Sequence, residues 1–69
     1  MKYSELTRKL RRLGLHVESE RKGSHQFWVW PEHQITLLIA YHATRDVPPG
    51  TFRAILRTLH ISEDDLNKA

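Results

Sequence analysis

The chain has 69 residues, 39% of them hydrophobic, and no cysteine, with eleven Lys and Arg against eight Asp and Glu for a net charge of +3. That length supports a single small domain spanning residues 1–69, because a domain of this size buries only about 60% of the surface its unfolded chain exposes and has no room for a second core or a deep substrate cavity. The lack of thiols excludes disulfides and thiolate metal sites and makes a reducing cytoplasm the expected compartment, while the longest apolar run, Leu37 to Tyr41, is too short to span a bilayer.

The polar start Met1-Lys2-Tyr3-Ser4-Glu5 lacks the apolar core of a signal peptide, so the chain is expected to stay inside the cell and off the membrane. Seven of the cations fall in residues 1–22 against three acids, a local balance of +4, and the rest of the chain comes to −1. This asymmetry suits one basic face turned toward a polyanion.

A helix is predicted from Ser4 to Leu13. Ser4 is a suitable N-cap, Leu6, Leu10 and Leu13 recur at i, i+4 and i+7, and Gly14 stands where a left-handed C-cap belongs. At 100° per residue Arg8, Arg11 and Arg12 point roughly away from the leucines. They serve equally well as a solvated face or as contacts to RNA phosphates.

Leu15 to Glu20 alternates with period two, a strand with Leu15 and Val17 facing the core. Lys22-Gly23-Ser24 then supplies a turn, and the strand His25 to Trp30 follows. This strand sets His25, Phe27 and Val29 on one face and Gln26, Trp28 and Trp30 on the other. If helices cover the first face, the tryptophans are an exposed pair suited to a partner protein or to bases; otherwise they are core. A third strand is expected from Gln34 to Tyr41, with Ile35, Leu37 and Ile39 on one side and Thr36, Leu38 and Ala40 on the other.

The two prolines of the segment His42 to Gly50 argue for a loop. Thr51 can then cap a second long helix, whose apolar stripe is Phe52, Ile55, Leu56 and Leu59, with Arg53 and Arg57 outside. Ser62 followed by Glu63, Asp64 and Asp65 predicts a short terminal helix ending near Lys68. The expected fold is therefore α+β, in the order α-β-β-β-α plus a short C-terminal helix, with two helices on one face of a three-stranded antiparallel sheet.

The segment with the most chemical content is Arg21-Lys22-Gly23-Ser24-His25. It sets a side chain type that exchanges its proton near neutral pH beside two cations, at a turn where glycine lets a ligand approach closely. Those are components for binding and cutting a phosphodiester. His16, His33, His42 and His60 lie far apart in sequence with no metal-ligand spacing, so neither a metal nor another cofactor is expected.

Three segments in order carry a family likeness: the basic first helix, then Gly23-Ser24-His25 with its aromatic strand, then Pro49-Gly50-Thr51-Phe52-Arg53-Ala54-Ile55-Leu56 with Ile61-Ser62. Together they resemble the HicA (YcfA-like) toxins of prokaryotic toxin–antitoxin pairs over nearly the whole chain. The resemblance implies a fold like that of double-stranded-RNA-binding domains, ribosome-independent cleavage of mRNA, and inhibition by a HicB antitoxin. By match of motif it assigns the catalytic histidine to His25.

Such cleavage needs no metal, because RNA brings its own nucleophile in the 2′-hydroxyl. It requires a base for that proton, an acid for the departing 5′-oxygen, and cations for the charge that builds on phosphorus. His25 suits either proton role, with His42, a lysine or water as the second group. Arg21 and Lys22 suit the phosphate. The expected RNA-binding set is thus Arg8, Arg11, Arg12, Arg21, Lys22, Gly23 and Ser24. The competing reading is a non-catalytic double-stranded-RNA-binding module, which wants a lysine cluster opening its last long helix, where this chain offers only Arg53.

Overall fold

The computed structural model describes residues 1–21 and 23–69. Helix α1 (Tyr3–Leu13) leads into strands β1 (His16–Glu20), β2 (His25–Trp30) and β3 (Ile35–Ala40), followed by helices α2 (Pro49–Leu59) and α3 (Glu63–Lys68). The strands form one antiparallel sheet in the order β1-β2-β3, with β2 in the middle. The expected α+β architecture and its α-β-β-β-α order are what the chain adopts.

Helix α1 buries Leu6 and Leu10 completely and ends at Gly14, whose φ of 111° is the left-handed conformation a C-cap needs. There the amides of Gly14 and Leu15 donate back to the carbonyls of Arg11 and Leu10, which turns the chain straight into β1. The other end departs from expectation. The helix starts at Tyr3 with Lys2 as N-cap, and no side chain caps it, Ser4 included. Its first amides are satisfied from afar instead: Tyr3 donates to the Arg45 carbonyl at 3.0 Å and Ser4 to that of Ala43 at 3.2 Å. The loop after β3 therefore does the work assigned to a serine.

Prolines shift the second boundary too. Pro49 and Gly50, expected in a loop, form the first turn of α2, with Pro48 as N-cap and Thr51 inside the helix. A proline at the first helical position gives up an amide that had no intrahelical partner anyway. Ile55 and Leu59 of α2 are buried and Phe52 and Leu56 half-buried, as the stripe requires. Ser62 caps α3 as expected, in a reciprocal pair: the Asp65 amide donates to the Ser62 hydroxyl and the Ser62 amide to the Asp65 carboxylate, each at 3.0 Å. Those bonds from Ser62, with Lys68 nearby, hold the Asp65 carboxyl below the usual carboxylate range.

The core gathers Trp28 and Trp30 of β2 with Leu37 and Ile39 of β3 against Leu6, Leu10, Ile55, Leu59 and Leu66 of the helices. The helices thus cover the tryptophan face. The condition that would have left the tryptophans wet does not hold: Trp28 is 1% exposed and Trp30 6%. The open face of the sheet is the one that carries His25.

Candidate active site

His25 opens the central strand, and hydrogen bonds on both sides fix its backbone. Its carbonyl accepts from the Arg21 amide at 2.8 Å, closing the β1–β2 hairpin, and the preceding Ser24 carbonyl accepts from the Tyr41 amide, also at 2.8 Å. Gly23 takes φ 77° in the connecting turn, a value that glycine adopts without the steric cost of a Cβ. The histidine is therefore held by all three strands while its side chain is exposed to solvent.

Around it the register assembles a small surface. His25 pairs with Ala40 of β3, whose methyl leaves space beside the imidazole, and the next pair on the same face is Phe27 with Leu38. The Arg21 guanidinium lies over the Phe27 ring, 4.9 Å from its centroid. This cation–π contact holds the charge on the open face and leaves the in-plane N–H donors free to meet an anion. Arg21, His25, Phe27 and Leu38 line a shallow groove of about 530 Å³. Among the described residues its chemical equipment is one accessible imidazole, one planar cation and an apolar floor.

The structure sorts the remaining expected site residues by distance from this groove. Gly23 and Ser24 form the adjoining turn, and Lys22 lies outside the described residues. Arg8 and Arg12 are exposed on α1, which packs on the opposite face of the sheet, so they are not grouped with His25. Arg11 is exposed as well, and its guanidinium sits 4.9 Å from the centre of the Trp28 ring on the covered side. It screens a buried indole.

The other histidines have separate neighbours. The His42 ring stands edge-on to Tyr3 of α1 at 6.0 Å, His33 packs on Trp30 at 4.0 Å, and His60 ends α2 with φ 57°. His16 pairs with Val29, which puts it on the open face at the far end from His25. Among the described residues, no three of His, Cys, Asp and Glu stand together as metal ligands would.

Phe27 and Leu38 were not singled out as site residues from sequence. The signal was present in the alternation, which puts Phe27 two positions from His25 on one face and Leu38 opposite the buried side of its strand. At 53% exposed, Leu38 is the large hydrophobic side chain that the fold leaves uncovered among the described residues.

The family model described as the HicA toxin of bacterial toxin–antitoxin matches residues 3–61, more than four fifths of the chain. The chain belongs to that family. Neither curated proteins nor solved structures give a significant match. No helix among the described residues is long and apolar enough to cross a membrane.

Proposed function

We propose that this member of the HicA toxin family is an endoribonuclease that cleaves mRNA without the ribosome, in the cytoplasm of a prokaryote, and is held inactive by a HicB antitoxin. The observation that carries the reading is the exposed His25, whose carbonyl accepts from the Arg21 amide, whose neighbour Ser24 accepts from Tyr41, and which shares a groove with Arg21.

In the proposed reaction the 2′-oxygen of a ribose attacks the adjacent phosphorus, forming an O–P bond as the bond to the 5′-oxygen breaks. One proton leaves the 2′-hydroxyl and one reaches the departing oxygen. His25 carries out one of these transfers, which supplies on the order of 10²- to 10⁴-fold. His42, which is exposed and stands edge-on to Tyr3, a lysine or water carries out the other. Arg21 faces the phosphate as a planar fork and stabilises the charge that develops on its oxygens. No step requires a metal or cofactor. Arg8 and Arg12 take phosphates further along the strand, through long-range attraction that salt weakens.

The competing duplex-binding role would need a cluster of cations opening α2. That turn reads Pro49-Gly50-Thr51-Phe52-Arg53, with one cation. For inhibition, an antitoxin has only to cover the open-face groove, because the basic helix lies behind the sheet.

The test is inducible expression of the native chain and of His25→Ala. The native chain is expected to arrest growth and deplete mRNA, and the variant to do neither while still binding the antitoxin. Equal arrest by both would end the assignment.

A further inference from the structure

Within that nuclease reading, we infer that Phe27 is the base platform of the site, so that the RNA must be unpaired where it is cut. A half-buried aromatic ring and a leucine 53% exposed lie side by side on an uncovered sheet face, in one groove with the exposed His25 and with Arg21. Among the described residues the group lying over this surface is the Arg21 guanidinium, on the Phe27 ring. The ring offers its face to the groove, and the group now resting on it is a guanidinium, a flat π-system of the kind a nucleobase also is.

Spacing and charge select the occupant. Two residues along a strand span about 6.6 Å, roughly twice the rise of a stacked nucleic-acid strand, so one splayed nucleotide reaches from His25 to Phe27. The base then lies on Phe27 against Leu38, and its phosphate lies between His25 and Arg21. Arg21 is the hinge of this arrangement: it either rests on the ring or turns its donors toward the phosphate. A guanidinium and an imidazole beside an apolar floor favour a phosphorylated aromatic ligand over an apolar peptide.

A duplex cannot use such a floor, because its bases are stacked inside and an A-form major groove is too deep and narrow for side chains to read. Single-stranded loops and linkers present the π-face that the platform takes. The groove holds one base and gives it no hydrogen-bonding edge contact from Phe27 or Leu38, so the platform selects an unpaired state and tolerates any base.

The experiment uses the full chain carrying His25→Ala, which prevents turnover. Its affinity is measured for a labelled 12-nucleotide unstructured RNA and for the same strand annealed to its complement. The single strand is expected to bind more tightly. Adding Phe27→Leu is expected to weaken single-strand binding by about 5- to 150-fold, the range for loss of one stacked base, while Phe27→Trp retains it. Stacking releases no counterions, so Phe27→Leu leaves the salt dependence unchanged, whereas Arg21→Gln lowers its slope by about 0.7. Leu38→Ser, at an exposed position, gives a smaller loss in the same direction. Undiminished single-strand binding by Phe27→Leu, tighter binding of the duplex, or a defect confined to antitoxin capture would each overturn the platform. The nuclease reading fails differently, through cleavage that survives His25→Ala. Either result can occur without the other.

Discussion

The two faces of the sheet are built from similar side chains and serve different ends. On β2, Trp28 and Trp30 point one way and His25 and Phe27 the other, so each face receives aromatic surface at the same spacing. The covered face is closed by α1, α2 and α3, down to Arg11 laid over the Trp28 indole. The open face carries a guanidinium on an aromatic ring as well, but there the stack is Arg21 on Phe27, with an accessible imidazole beside it. The same contact type thus seals the core on one side and leaves a charge at a groove on the other. The lesson is that aromatic content alone does not mark a site; what marks it is which face the helices leave uncovered.

The contrast breaks most clearly at Trp28. Trp28→Ala removes a side chain that is 1% exposed, and is expected to cost about 3–5 kcal/mol. For a domain this small that is a large share of the whole stability. Chemical denaturation checks it, and a loss below about 1 kcal/mol would mean that the indole is not the core contact described here. The open face predicts the reverse pattern. Leu38→Asp should leave stability within about 0.5 kcal/mol, because the position is half exposed. It should nonetheless reduce RNA cleavage at least tenfold by placing an anion in the groove. Unchanged cleavage would detach the groove from the chemistry.

The smallest effect sharpens the comparison from a site that belongs to neither face. Ser62→Ala is expected to cost about 1 kcal/mol through loss of the α3 cap. The partner of that cap adds a pH dependence. Because the folded chain holds Asp65 below its ordinary carboxylate range, its contribution is fully present above that range and disappears as pH falls through the depressed value. Acid should therefore narrow the difference between the native chain and Ser62→Ala. A difference that is constant down to strong acid would mean that the carboxylate does not hold the cap.

Most of the fold could be read from local pattern. The leucine spacing of α1, Gly14 as its stop, the glycine turn before His25 and the Ser62 cap each depend on residues a few positions apart, and each formed. The misread boundaries share a cause. Helix α1 is capped by the carbonyls of Ala43 and Arg45, some forty residues away, and such a partner leaves no mark beside Ser4. Pro49 reads as a breaker because a missing amide is costly inside a helix, yet a first turn tolerates it. His25 stood out in sequence through its turn and its neighbouring cations. Its companions Phe27 and Leu38 did not, because period-two alternation separates the two faces without saying which one the helices will cover. Arg11 shows a related limit: it is exposed, as its helical angle suggests, but that angle says nothing of the Trp28 ring its guanidinium lies over.

The central claim is that the open face does chemistry through one imidazole while the covered face holds the fold. Its most direct test is a side-by-side assay of purified native chain and His25→Ala on a single RNA oligomer, with the melting temperature of each recorded. The account predicts that the variant melts with the native chain and cleaves about 10²- to 10⁴-fold more slowly. Full-rate cleavage by an equally stable variant would contradict it.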